Sequence, residues 1–211
     1  MSGGVSRVLE FVLVWEDRYA NHADYLFGRA PAHVLRENPW VFQGAGTALC
    51  VADGEGRNAV YLAQQGLEAT SFDLSTTAIG RTAELAASAG VSVDAHVSEW
   101  GAWDWSQQFD LTVAIFVQFA VPSQRPQQFA DLQAATKPGG RLLLHGFTPE
   151  QVELGTGGPP VAENMYTEDL LAEAFADWKI LRLASYLREQ DSGTAHVGRA
   201  ALIDLIAERP S

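Results

Sequence analysis

Apolar positions fall into two rhythms along this chain. Between residues 7 and 39 they are spaced as on helices, the run VLEFVLVW preceding the polar and aromatic stretch EDRYANHADYLFGRAP, with Pro31 and Pro39 as punctuation. From Thr47 onward, short apolar runs alternate with amphipathic segments of helical length, which predicts strand and helix units around a parallel sheet. Strands are expected at Thr47–Ala52, Glu68–Phe72, Val91–Val97, Leu111–Val117 and 141–147. Helices are expected at Arg57–Gln65, Thr76–Ala89 and Gln124–Thr136, the first two closed by Gly66 and Gly90 and the third followed by a break at KPGG. The run RLLLHGF is nearly all apolar, as a strand covered on both faces should be.

Towards the end the alternation fails. After a long loop and a helix at Thr167–Phe175, two strands, Lys179–Leu187 and His196–Ala207, follow with no helix between them, joined by the turn-rich EQDSGTA. Only an antiparallel hairpin fits that order. The expected fold is α/β: a Rossmann-like three-layer sandwich whose seven-stranded, mostly parallel sheet carries a C-terminal antiparallel hairpin at its edge. Residues 1–211 read as one domain, with 1–46 an N-terminal helical arm or lid and 47–211 the core. Asp204, Glu208 and Arg209 either protect that edge or leave it to pair with a second copy, so monomer and homodimer both stay open.

Composition narrows the function classes. At 47% hydrophobic and 19% charged residues the chain is too apolar for a disordered tail. Its 14 Lys and Arg against 26 Asp and Glu give a net charge of −12, which repels phosphate backbones and anionic bilayers and disfavours nucleic-acid and membrane partners. A single cysteine, Cys50, excludes an intramolecular disulfide and any cysteine cluster for a metal. With no secretory pattern in MSGGVSRVLE and no apolar run of bilayer length, a cytoplasmic protein is expected.

The chemistry concentrates where strands end. In ALCVADGEGRNA the first strand runs into Gly54 and Gly56 and then a helix, so backbone amides can approach a ligand and the helix start favours a polar or anionic group. GEGRNA also satisfies the GxGxxA variant of a dinucleotide fingerprint, or is simply a tight turn. Asp73 ends the second strand where an acid can hold both ribose hydroxyls, or caps the helix after DLST, or does both. Ser98, Glu99 and Trp100 follow the third strand, where they read and stack on an adenine rim or pack with Trp103 and Trp105.

At these residues the chain resembles the class I S-adenosylmethionine-dependent methyltransferases, most closely the small branch that includes tellurite-resistance and thiol methyltransferase-like proteins. The resemblance covers essentially the whole chain and rests on WEDRYA, ALCVADGEGRNA, FDLS, SEW, FDLTVAIF, KPGGRLLL and FTPEQVELGTGGPP. It implies S-adenosylmethionine as cofactor and S-adenosylhomocysteine as its product. It places Ala52, Gly54 and Gly56 under the methionine part and Asp73 and Leu74 at the ribose, with Glu55, Asn58 and Ser75 also expected to bind the cofactor. Glu99 and Trp100 go to the adenine, Ile115 and Phe116 are also expected to bind the cofactor, and Trp15 and Tyr19 cover it from the arm. Two positions depart from the family pattern: Cys50 stands where an acid is usual and Ala52 where a glycine is usual. Either Asp53 compensates for the missing strand carboxylate or cofactor affinity is reduced.

Methyl transfer from a sulfonium needs an aligned nucleophile and little covalent help, so no catalytic residue is named. The aromatic arm with Trp15, Tyr19, Tyr25 and Phe27 is the candidate lid, and the glycine-rich loop from Phe147 to Tyr166 the candidate substrate entrance. His145, His196, Tyr166 and Arg57 could reach that end but read as structural or peripheral, Cys50 reads as a buried structural thiol, and no metal motif is present. The expected acceptor is a small molecule: a thiol, a chalcogen or metalloid oxyanion, or a small xenobiotic. Two competing readings are a non-catalytic S-adenosylmethionine-binding sensor or scaffold, and an NAD(P)-dependent oxidoreductase. Against the latter stand the terminal hairpin and the lack of a Tyr and Lys pair at helical spacing.

Overall fold

A computed structural model describes residues 14–194 and 196–211. Residues 14–20 are helical, and the part of the expected arm before residue 14 lies outside the described residues. The arm continues through a short helix, α1 (His33–Glu37), and a 3-10 turn, Pro39–Phe42. The core then runs β1 (Thr47–Val51), α2 (Arg57–Gln64), β2 (Glu68–Asp73), α3 (Thr76–Ala89), β3 (Asp94–Val97), β4 (Phe109–Ile115), α4 (Arg125–Ala135), β5 (Thr136–Phe147), α5 (Gln151–Leu154), α6 (Glu168–Ala174), β6 (Lys179–Ser192) and β7 (His196–Glu208). Among the described residues no helix is long and apolar enough to cross a membrane.

All seven strands form one sheet in the order β3-β2-β1-β4-β5-β7-β6. The first five are parallel, β7 is antiparallel to β5, and β6 is antiparallel to β7. The α/β sandwich with a C-terminal hairpin is therefore the observed architecture. Alternate residues of the central strands feed opposite faces: Leu49, Val51, Leu142 and Leu144 pack with Phe72, Phe129 and Phe175, while Ala48, Cys50, Val113 and Leu143 pack with Leu35, Val41 and Leu62. Cys50 is fully buried there, and burial pushes its thiol well above its ordinary value, so it is an inert packing residue. Because β1 pairs with β2 on one side and β4 on the other, the chain direction across the sheet reverses between β1 and β4, and a crevice opens beyond their carboxyl ends.

Several boundaries move for identifiable reasons. The KPGG segment is no break but the opening of β5, which follows α4 directly. Gly140 lies so close to β4 that a Cβ there would stand 3.0 Å from the Asp110 carbonyl, and the register slips between Phe109 and Leu111 to accommodate the turn. Strand β3 begins at Asp94 rather than Val91, since only Asp94–Val97 pair with β2. Strand β4 stops at Ile115 rather than Val117, because Phe116 turns into the left-handed region at φ 58°. The hairpin pairs further, to Ser192 and His196, taking EQDS into the ladder. The exposed edge is β6, not β7: Asp204 is 1% exposed in the interior of the sheet and so cannot protect an edge.

Candidate functional site

The crevice is a cavity of about 1020 Å³. Its first wall is the turn after β1. Ala52 sits at φ 47°, Gly54 at 60° and Gly56 at 79°, so the chain bends sharply enough to aim the Gly54 amide at the Asp73 carboxylate, whose Oδ2 accepts it at 2.9 Å. Ala52 occupies a conformation that costs a residue with a Cβ about 1–2 kcal/mol. The two glycines serve different ends: a Cβ on Gly54 would meet the Tyr19 hydroxyl at 2.6 Å on the cavity side, whereas one on Gly56 would strike Thr82 at 2.3 Å, so Gly56 lets α2 and α3 pack.

Both carboxylates in this wall are engaged by the backbone. Asp53 accepts Asn58 Nδ2 at 2.7 Å and the Ala59 amide at 3.0 Å, tying it to the first turn of α2. Burial holds its carboxyl up at about 6. Asp73 Oδ1 accepts the Ser75 amide at 3.0 Å, and burial likewise raises Asp73 to about 6 despite the amides that favour its charge. The cap of α3 is not Asp73 but Ser75, whose Oγ accepts the Ala78 amide at 3.0 Å. Ser75 Oγ in turn donates to Glu16 Oε2 at 2.6 Å, and Thr77 Oγ1 donates to Glu16 Oε1, so an arm carboxylate closes the start of α3 beside Asp73. These donors lower the Glu16 pKa.

The arm forms the roof. Trp15, Tyr19 and Phe27 pack ring to ring with centroids 5.8–6.5 Å apart and line the cavity. Tyr25 does not join them: its hydroxyl donates to the Arg81 carbonyl and its ring lies under Arg29 on the α3 side. Straps hold the arm down. Glu55 accepts the Leu26 amide at 2.7 Å and pairs with Arg81 at 2.5 Å, Arg57 donates to the Phe27 carbonyl at 2.7 Å, and Asn58 accepts the Ala32 amide at 2.9 Å. The hairpin tip reaches the same segment. Thr194 donates its amide to the Leu26 carbonyl at 3.1 Å, Gly193 leaves room for Leu26–Gly28 where a Cβ would not fit, and Arg188 grips Glu37 through both guanidinium nitrogens.

At the far end, Trp100 follows β3 and lines the cavity with Glu99 and Leu74. Its indole N–H donates to Asp131 at 2.7 Å and its ring stands edge-on to Phe72 and Phe119. Trp103 stacks on Phe72 at 4.6 Å and Trp105 donates to the Trp100 carbonyl, so these two are packing residues that support Trp100. The remaining side is built after β4 and β5. Phe116 lies against Phe147 with centroids 4.6 Å apart, and Gln118 holds Phe147 by donating to its carbonyl and accepting its amide.

Of the residues expected at the cofactor, the structure brings Trp15, Tyr19, Ala52, Gly54, Asn58, Asp73, Leu74, Glu99, Trp100, Ile115 and Phe116 around one cavity. Glu55, Gly56 and Ser75 lie outside its lining, as strap, helix contact and cap. Asp53 lines the cavity, but both its oxygens are committed to α2. His145 is fully buried away from the lining, 2.7 Å from Asp204, which also takes the Tyr186 hydroxyl and Arg182 and so ties β5, β7 and β6 together. Tyr166 is buried against Phe129. His196 lies on β7. Arg57 alone of those four lines the cavity. Sequence reasoning missed Glu16, Gln118, Asp131 and Asn164, each placed here by a contact or loop distant in sequence.

The residues present fit S-adenosylmethionine. Asp73 is a buried carboxylate held above its ordinary value, which donors from a diol would favour in its charged form, and the cavity runs from the Gly54 turn past it to an aromatic shelf. The arm rings suit a sulfonium cation. Residues 48–140 match the family model of a methyltransferase domain. Hemagglutinin 1 of Eikenella corrodens is 27% identical over 133 residues, which are 61% of this chain and 42% of that protein, so this chain spans less than half of that relative's length. A solved structure described by the conversion of a disulfide bond into a thioacetal group during echinomycin biosynthesis shares 18% identity, with a TM-score of 0.76 over 95% of this chain and 92% of that one. The N-methyltransferase NodS from Bradyrhizobium japonicum, in complex with S-adenosyl-L-homocysteine, shares 14% identity, with a TM-score of 0.70 over 95% and 98%. At such identities the likeness is one of fold. Residues 48–140 are thus similar to a methyltransferase domain, and the chain shares its fold with a solved N-methyltransferase.

Proposed function

We propose that this chain binds S-adenosylmethionine in the cavity and transfers its methyl group to a small molecule, as in the thiol and tellurite branch its segments resemble. Bound there, the cofactor supplies an electrophilic methyl on a sulfonium. Asp73 would accept the ribose hydroxyls, Glu99 and Trp100 would flank the base, and the turn from Ala52 to Gly54 would lie along the amino-acid part. Trp15, Tyr19 and Phe27 would cover the sulfonium and exclude water. A cavity at the upper end of the usual range of about 300–1,000 Å³ for small-molecule sites has room for cofactor and acceptor together, which favours a small acceptor over a macromolecule.

The observation that carries the reading is the meeting of Gly54, Asp73 and Trp100, from three separate strand ends, around one cavity roofed by the arm. Calorimetric titration with S-adenosylmethionine and S-adenosylhomocysteine, with NADH as control, tests it. Micromolar binding of the two sulfur compounds alone is expected. Binding of NADH instead would replace it with the oxidoreductase reading, and tight S-adenosylmethionine binding without turnover against a broad acceptor panel would replace it with the sensor.

A further inference from the structure

The charged side chains that line the cavity are unevenly placed. Arg18 and Arg57 sit by the arm, one over the Trp15 ring at 4.4 Å and the other bound to the Phe27 carbonyl. Asp53 and Asp73 belong to the glycine turn, and Glu99 and Asp131 to the Trp100 shelf. Among the described residues, Phe116, Gln118, Phe147, the 157–160 run and Asn164 form an end of the lining that carries no charged side chain and no His or Tyr. Its floor is the Phe116 and Phe147 rings, and Gly158 lies so near that a Cβ on it would come within 2.8 Å of Phe147. Both polar atoms of Gln118 are already spent on the Phe147 backbone. Phe116 is held at φ 58°, a strain that keeps its ring at this spot.

We infer that this end takes a flat, largely apolar acceptor with no charge on its body, and rejects oxyanions and carboxylated analogues. The inference rests on the methyl-transfer reading above. An oxyanion placed on two phenyl rings would lose its hydration with no cation to replace it, inside a cavity lined by four acids against two bases on a protein of net charge −12. Among the described residues this end offers no proton acceptor, which favours a nucleophile that loses its proton unaided, as an aryl thiol does and an alcohol does not. In the step the thiol proton leaves to water and the sulfur lone pair forms the new bond to the methyl carbon. The bond from that carbon to the sulfonium breaks, its electron pair staying on the departing thioether sulfur. The one negative charge arises at the atom facing the cation and is consumed there; a second charge elsewhere on the molecule finds no partner.

The test is equilibrium binding, by calorimetry, of methyl phenyl sulfide, 4-(methylthio)benzoate and selenite, each to the protein loaded with S-adenosylhomocysteine and to the unloaded protein. The uncharged sulfide is expected to bind at least tenfold tighter than the carboxylate, with no heat from selenite. In Asn164→Arg, which brings a cation to this end, the gap is expected to close to within about threefold. Selenite or the carboxylate binding as tightly as the sulfide to the unaltered protein would overturn the inference, as would no binding of the sulfide. Failure of S-adenosylhomocysteine to bind would show separately, against the cofactor reading, while the unloaded protein still reports the selection by charge.

Discussion

Two turns at the carboxyl edge of the sheet share one backbone device and hold opposite chemistry. The turn after β1 puts Ala52 at φ 47° and the turn after β4 puts Phe116 at φ 58°, the two non-glycine residues in the left-handed region among those described. Around Ala52 are carboxylates and amides: Asp53 and Asp73, each accepting N–H groups and each held near 6 by burial. Around Phe116 are the Phe147 ring and a Gln118 amide satisfied within the protein. The same strained bend therefore borders the crevice in both places, and the neighbouring side chains set whether its wall offers directed hydrogen bonds or an apolar surface.

Removing the carboxylate at the polar turn should have the largest effect. Asp73→Ala is expected to weaken S-adenosylhomocysteine binding by about 10²-fold, since hydrogen bonds to a charged group are worth about 1.5–3 kcal/mol each. An unchanged dissociation constant in calorimetry would remove Asp73 from the ribose. Next is acidity. Protonating Asp73 removes its charge and turns one of its oxygens into a donor, so affinity should fall up to about tenfold per pH unit below about 6. Stability of the unliganded protein should move the other way. Asp53 and Asp73 titrate higher folded than unfolded, so the folded state takes up protons more readily between about 6 and the ordinary value near 4. Their contribution to stability therefore rises as pH falls through that window, and urea unfolding at several pH values with and without ligand should show the opposed trends.

The last two tests act on the shared bend itself. Phe116→Gly relieves the strain but removes a half-buried ring, for a net loss of about 1–2 kcal/mol in chemical denaturation. Ala52→Gly relieves similar strain at the cost of added chain freedom and should gain about 0.5–1 kcal/mol with cofactor affinity undiminished. A loss of stability in Ala52→Gly would mean that the first turn does not hold the strain its left-handed residue implies.

What could be read from the sequence was what neighbouring residues determine. Helix Thr76–Ala89 and its Gly90 terminus follow from local periodicity and one left-handed glycine, and the hairpin from two strands with only a turn between them. Gly54, Asp73 and Trp100 were legible because each closes a strand, and parallel strands bring their carboxyl ends together. The misreadings were nonlocal. KPGG looks like a break until β4 is seen pressed against Gly140, and Asp204 looks like an edge charge until β7 is found inside β6. Glu16 meets Ser75 and Thr77 across about sixty residues, and no spacing rule links them.

The grip of the hairpin tip on the arm also sets an order of assembly. The glycine turn, Asp73 and Trp100 are all in hand once the first hundred residues have been made, yet the Leu26 carbonyl finds Thr194, and Glu37 finds Arg188, only after those later residues have followed. A ribosome-bound chain thus has the polar wall of its crevice before it has the clasp for its roof, and the clasp closes on a wall already made.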